Sequence, residues 1–275
     1  MKRIILITGV TGSLGKATAT ELAKNGCHVI LLSRNSDKLP KVKTEIAGET
    51  GNSDIETVVA DLSEPGSIRN AVTEIKSRHT SLNGLINVAA IFKSQRVENS
   101  EGYEYMFATN HLGPYILTNE LLDLLKAGKP SRILTVSAPS TTKIQFDDLP
   151  GLKKFSGGFL GAFGSSKMMN LMFTYALARR LKDTGVTSNV FHPGLVKSDL
   201  LKESPKLMYG FFQIVSAKPD RAAKMLCSLA TNDKYDNLNG TFMKYNGKKI
   251  KSSDYSYDEV LQEKLWLLSE QLALA

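Results

Sequence analysis

Ile4-Ile5-Leu6-Ile7-Thr8-Gly9-Val10-Thr11-Gly12-Ser13-Leu14-Gly15 decides the fold. A short aliphatic run turns directly into a loop with glycines at 9, 12 and 15, and an amphipathic stretch from Leu14 to Asn25 follows. A strand that opens through a glycine loop into a helix directs the backbone amides of that helix N-terminus at a pyrophosphate. Gly9 permits the tight turn, Gly12 close backbone approach and Gly15 the packing of helix on strand. Thr11, Ser13 and Leu14 complete the loop and are expected to line the same phosphates.

Outward from this loop, short apolar runs alternate with helical patterns. Strands are expected at Arg3 to Thr8, Cys27 to Ser33, Glu56 to Ala60, Gly84 to Ala89, Arg132 to Ser137, Thr187 to Phe191 and Thr241 to Tyr245. Between them, Leu14 to Asn25, Ser67 to Arg78, Tyr103 to Leu125, Phe163 to Leu181 and Arg221 to Leu229 carry helical periodicity. Continuous apolar strands separated by helices read as a parallel sheet covered on both faces. The expected fold is therefore α/β, a single doubly wound Rossmann-like domain over residues 1–275 with about seven parallel strands. The Pro/Gly/Ser-rich pieces around 139–165 and 203–219 read as long loops beside the site.

Composition excludes several classes. At 275 residues, 42% hydrophobic and 23% charged, the chain has the profile of an ordinary globular protein. The net charge of +8 comes from lysines dispersed along the chain, the only dense run being Lys248 to Lys251, so no nucleic-acid partner is expected. The two cysteines, Cys27 and Cys227, are far apart and lack metal-ligand spacing, which fits thiols in a reducing compartment and gives no metal site. No apolar stretch reaches the ~18 residues of a membrane span, and the N-terminal run reads as a buried strand rather than a signal peptide. A cytoplasmic protein without an integral membrane segment is expected.

The end of the second strand, Leu32-Ser33-Arg34-Asn35, discriminates between cofactors. An acidic residue there would accept hydrogen bonds from an adenosine ribose, whereas Arg34 with Ser33 suits a 2′-phosphate, so NADPH is favoured over NADH. Asp61, followed by Leu62, ends the third strand where an adenine amino group would lie; an aspartate in this place also serves as a helix cap.

Thr8-Gly9 through Gly15, Asp61-Leu62, Asn87-Val88-Ala89-Ala90, Asn110-His111-Leu112-Gly113 and His192-Pro193-Gly194-Leu195-Val196 resemble, in order, the motif series of the short-chain dehydrogenase/reductases. Lys143 to Leu149, Phe173 to Leu181 and Leu265 to Glu270 are similar to the retinol dehydrogenase, WW-domain oxidoreductase and protochlorophyllide reductase branch. The resemblance implies that Asn87 and Ala89 wall the nicotinamide ribose, and that Asn110 kinks its helix and holds a water near the lysine. It implies that Pro193, Gly194 and Val196 line the carboxamide, with Ser198 bonding it, and that Lys167 grips the ribose hydroxyls. It also implies a homodimer or homotetramer through Tyr103 to Leu125 and Phe163 to Leu181.

The catalytic pair departs from that pattern. Ala138 stands at the serine position and Phe163 at the tyrosine position of a Tyr-x-x-x-Lys helix, so Lys167 survives without the usual acid. A positioned general acid contributes roughly 10²–10⁴ in rate. Three explanations follow: a reductase with another proton source acting on a carbonyl or conjugated acceptor, a cofactor-binding sensor without catalysis, or a deliberately inactivated reductase. Ser13, Val88 and Ala90, departures that would not disable catalysis, favour a natural lineage. Substitute donors are Ser140, Thr141, Thr142, His192 and Tyr209, while strand alternation turns Ser137 to the opposite face. Residues 199–216, rich in aromatic and aliphatic side chains, are expected to form a lid over a small hydrophobic substrate.

Overall fold

The computed structural model describes residues 2–151 and 158–274. Seven strands, β1 (Ile4–Thr8), β2 (His28–Ser33), β3 (Ile55–Val59), β4 (Gly84–Asn87), β5 (Ser131–Val136), β6 (Val186–His192) and β7 (Phe242–Lys244), form one parallel sheet in the order β3-β2-β1-β4-β5-β6-β7. The order reverses between β1 and β4, the crevice in which open α/β sheets bind ligands at the carboxyl ends of their strands.

Strand alternation divides the core. In β1, Leu6 joins Ile30, Leu85 and Ile133 on one face, where α3 (Pro65–Arg78), α5 (Gly113–Glu120) and α7 (Gly158–Arg180) cover them. Ile5 and Ile7 point the other way with Leu31, Ile86 and Leu134, under α1 (Ser13–Lys24), α2 (Lys38–Thr50) and α9 (Asp220–Thr231). Period-2 geometry makes each apolar run serve both layers, which is why the strands read as continuous rather than alternating.

The expected helix from Tyr103 to Leu125 is in fact a composite. It begins as the short α4 (Tyr105–Phe107), widens to π-winding over Ala108–Leu112, continues as α5 and restarts as α6 (Leu122–Ala127) after Leu121 leaves helical dihedrals. Asn110 sits at the centre of the π segment, so the expected kink takes the form of an extra residue in the turn. The segments expected as loops are also partly helical: α7 already starts at Gly158, and α8 (Lys206–Val215) lies within 203–219. Residues 152–157 of the first segment lie outside the described residues.

The last helix, α10 (Glu259–Leu274), was not among the expected elements. Trp266 stacks on Phe173 at 5.7 Å between ring centroids, meets Tyr115 edge-on at 5.2 Å, and carries the Arg180 guanidinium at 4.0 Å from its centroid. Ser269 Oγ hydrogen-bonds His111 Nε2 at 2.8 Å. The chain thus lays its own C-terminal helix over α5 and α7, on surface that the family resemblance assigned to a partner subunit.

Candidate active site

The glycines of the loop are required by close backbone approach. Gly9 has φ +72°, and a Cβ there would stand 2.8 Å from the Ala89 backbone. A Cβ on Gly15 would fall 2.2 Å from the Gly9 carbonyl oxygen, so only glycine lets α1 approach its own loop. Gly12 caps α1 without a side-chain acceptor, which leaves the first amides of the helix directed outward. The loop is pinned behind by Thr8 Oγ1, which accepts from Val88 N and Ala89 N at 3.0 Å each. This cradle fits a dinucleotide pyrophosphate, and Leu14 packs behind it on the core.

Ser13 turns elsewhere: its hydroxyl donates to the Lys197 carbonyl at 2.8 Å and ties the phosphate loop to the segment after β6. At the end of β2, Ser33 Oγ lies 3.2 Å from Thr11 Oγ1, and exposed Arg34 donates to the Tyr105 hydroxyl at 2.5 Å. Asn35 Oδ1 accepts from Lys38 N at 2.8 Å and so caps the entry to α2 rather than reaching toward the loop. Asp61 Oδ1 accepts from the amide and hydroxyl of Ser63 at 2.9 and 2.7 Å, a turn role just after β3, while Leu62 is buried.

The nicotinamide end gathers around α7. Lys167 is only 6% exposed, with Nζ 5.1 Å from the Phe163 ring centroid. Burial disfavours the charged ammonium and pulls its pKa down to about 8. Phe163 is held edge-on by Phe92 at 5.5 Å, and Ala138 is half-buried at the end of β5. Among the described residues, the neighbouring serine hydroxyls are bonded to the α7 backbone and replace neither absent oxygen. Ser137 Oγ donates to the Lys167 carbonyl, as strand alternation required, and Ser140 Oγ donates to the Gly164 carbonyl at 2.7 Å. Thr142 Oγ1 abuts Gly164, whereas Thr141 is exposed.

Asn110 is fully buried, and its amide is committed: Oδ1 accepts from Ile91 N at 2.8 Å, and Nδ2 donates to Ile91 O at 3.0 Å and Ser166 Oγ at 3.1 Å. It thereby joins the loop after β4 to Ser166 on α7, the neighbour of Lys167 in the chain. Asn87 Nδ2 donates to Thr118 Oγ1 at 3.2 Å, while its buried Oδ1 has no hydrogen-bond partner among the described residues. The Ala89 backbone lies against Gly9.

Pro193, Gly194 and Val196 follow β6, and a parallel bridge between Val196 and Ala217 shapes that loop. Ser198 uses its carbonyl to accept from Gln213 Nε2 at 2.9 Å, anchoring α8. Tyr209 donates to Asp199 Oδ1 at 3.0 Å, and burial with the nearby Lys244 ammonium keeps His192 below its usual pKa, packed against Phe242. Neither is directed at Lys167 by these contacts. α8 has no buried residue, and its apolar Leu207 and Ile214 are 90% and 85% exposed, so the lid turns apolar side chains outward. A separate cavity of about 250 Å³ lies beyond α7, lined by Glu104, Phe107, Thr142, Ser165 and Met169 but not by Phe163 or Lys167.

Three features escaped sequence reasoning: Tyr105 as the partner of Arg34, Phe92 as the brace on Phe163, and the Ser13 link to Lys197. Each joins residues at least 71 positions apart, so no local spacing signals them.

Among the described residues no helix is long and apolar enough to cross a membrane. Residues 3–207 match the family described as short chain dehydrogenase. Retinol dehydrogenase 12 of Mus musculus is 33% identical over 274 residues, covering 98% of this chain and 86% of the relative. Polyprenol dehydrogenase of Homo sapiens is 34% identical over 278 residues, covering 96% and 83%. Among solved structures, an uncharacterised protein from Mycobacterium paratuberculosis superposes with TM-score 0.77 at 28% identity, covering 99% of this chain and 94% of that one. The cradle, the lysine on α7 and these likenesses agree: the chain belongs to the short chain dehydrogenases, nicotinamide-binding oxidoreductases, in their retinol dehydrogenase-like branch.

Proposed function

We propose that the protein is an NADP(H)-dependent reductase of a small hydrophobic carbonyl or conjugated acceptor, working with an altered proton-delivery site. When bound, the cofactor supplies hydride from C4 of its nicotinamide. The glycine loop holds the pyrophosphate, Arg34 and Ser33 meet the 2′-phosphate, and Lys167 holds the nicotinamide ribose. Pro193, Gly194, Val196 and Ser198 flank the carboxamide, and Asp61 the adenine.

The observation that carries this reading is Lys167 itself. A lysine buried with its pKa near 8 is costly to fold, and that cost is offset when ribose hydroxyls solvate the ammonium. The same ammonium lies 5.1 Å from the Phe163 ring, beside the position of the absent tyrosine hydroxyl, so it serves as the proton source, through a water occupying the space that Phe163 leaves. An acceptor with a conjugated C=C needs less acid assistance than a simple carbonyl, which suits the missing hydroxyls.

The Phe92–Phe163 packing favours a second reading, a dinucleotide sensor whose occupancy is reported without turnover. NADPH oxidation measured across apolar aldehydes, quinones and enones separates the two. Saturable turnover with any of them supports the reductase; tight NADPH binding with no turnover across the set overturns it in favour of the sensor.

A further inference from the structure

At the strand ends opposite the glycine loop, three donor side chains converge from three elements. His28 opens β2, Glu56 is the second residue of β3, and His79 closes α3. His28 Nε2 lies 2.8 Å from Glu56 Oε1, and His79 Nε2 lies 3.2 Å from Glu56 Oε2. The three donor atoms all fall within 4.8 Å of one another. The imidazoles meet edge to face, with centroids 5.3 Å apart and planes at 81°, so neither ring stacks over the other's nitrogen.

Hydrogen bonding accounts for only part of the cluster: His79 Nε2 and Glu56 Oε2 share a hydrogen bond, and His28 is left over. His28 Nε2 is buried and makes no hydrogen bond of acceptable geometry despite the nearby carboxylate. An imidazole nitrogen left this way costs free energy unless its lone pair meets a cation. Two imidazoles and one carboxylate form a known donor set of zinc(II), with bonds of about 2.0–2.2 Å that set donor atoms roughly 3.3 Å apart in a tetrahedron. The two nitrogen–oxygen separations sit close to that spacing.

The surroundings tolerate a cation. Glu56 contributes the negative charge of the cluster. The Arg78 guanidinium stands 3.5 Å from Glu56 Oε2 and also pairs with Glu74 one turn back on α3, a surface partner that can keep it as a metal takes its place beside Glu56. The His28 and Glu56 side chains are partly exposed, which gives an ion a route in and a water a fourth position.

We propose that His28, Glu56 and His79 form a binding site for one divalent transition metal, zinc(II) being the best match. The site lies about 16 Å along β2 from the nucleotide end, at the strand rise of roughly 3.3 Å per residue. Its role is to staple β2, β3 and α3 at the outer half of the sheet. The spacing of the three ligands along the chain carries no motif, because each comes from a different element.

The test uses the full chain, stripped with chelator and exchanged into chelator-free buffer. Zinc chloride is titrated by calorimetry and cobalt(II) by visible absorption. One metal per chain, the d–d bands of tetrahedral cobalt(II), and a Tm rise on the order of 5 °C at ~100 Kd of free zinc are expected. Glu56→Gln and His28→Gln should each weaken binding by more than about tenfold, the loss that even an outer partner of a metal ligand can cause. Folded Cys27→Ala, which removes the neighbouring thiol, should bind as the parent does. Absence of saturable binding, binding unchanged in both ligand variants, or binding lost in Cys27→Ala would each overturn the site. Should His79→Gln fail to fold, the two partly exposed ligands still decide the matter.

Discussion

Lys167 Nζ faces the Phe163 ring across 5.1 Å, from the next turn of α7, where a tyrosine would place a hydroxyl. A cation within about 6 Å of an aromatic face is attracted by roughly 0.5–2 kcal/mol. The ring therefore recovers part of the solvation that burial removes, and α7 tolerates a charge that no carboxylate among the described residues neutralises. Four expected outcomes follow from this arrangement and its supports.

Replacing Lys167 with Met should raise stability and lower cofactor affinity together. The folded pKa is depressed from 10.5 to about 8 by burial, and at 1.36 kcal/mol per unit that is a penalty of about 3 kcal/mol. The penalty is fully present below pH 8, where the folded state must bury a charge. Between about 8 and 10.5 the folded protein has released its proton while the unfolded chain has not, so stability recovers with rising pH. Urea melts of the two proteins without cofactor should differ most near pH 7 and converge toward pH 10. A pH-independent difference would show that Lys167 is not buried as a charge.

Restoring both hydroxyls, Ala138→Ser with Phe163→Tyr, should raise carbonyl reduction by roughly 10²–10⁴ over the parent chain. Steady-state NADPH oxidation with one apolar aldehyde measures it. Because Lys167 and the glycine loop are untouched, the gain should appear in kcat with little change in the KM for NADPH. A double variant as slow as the parent would mean that the acceptor half of the site is also lost.

Arg34→Ala should weaken NADPH by about 10–100-fold, the value of a charge-assisted contact of roughly 1.5–3 kcal/mol, and leave NADH almost unchanged. Tyr105→Phe, which removes the hydroxyl that now accepts from Arg34 at 2.5 Å, should have a smaller effect. Fluorescence titration with both cofactors reads the ratio, and equal parent affinities for NADPH and NADH would defeat the assignment.

Trp266→Ala should cost about 2–4 kcal/mol, since the indole lies on Phe173, Tyr115 and Arg180 and its loss strips α10 from the α5–α7 surface. The surface uncovered is the one the resemblance assigned to a homodimer or homotetramer. Light scattering should find the parent less self-associated than a folded variant lacking α10. A parent that already dimerises through α5 and α7 would contradict the covering role.

Much of the fold was legible because its signals are local. Strand β1 and the loop from Gly9 to Gly15 read correctly since apolar run, glycine spacing and helix onset lie within a dozen neighbouring residues. The composite helix around Asn110 did not, because its π-winding serves bonds to Ile91 and Ser166 that come from elsewhere in the chain. Asn35 and Asn87 were matched to cofactor roles by position in a motif. What the motif position does not signal is that Asn35 Oδ1 accepts from Lys38 N and Asn87 Nδ2 donates to Thr118 Oγ1. The lid segment was read as apolar and therefore inward-facing, yet α8 carries Leu207 and Ile214 to solvent because its supports, Gln213 and Tyr209, lie on the other side.

By itself the sequence determined the alternating α/β order, the phosphate cradle and the absence of the serine and tyrosine hydroxyls, since each depends on residues adjacent in the chain or on simple identity. Tertiary structure alone decided how far Lys167 is desolvated, that Tyr105 meets Arg34, that α10 covers α5 and α7, and that His28, Glu56 and His79 share one point. These depend on distances between residues far apart in the chain, which only the packing of the sheet and its helices brings within a few ångströms.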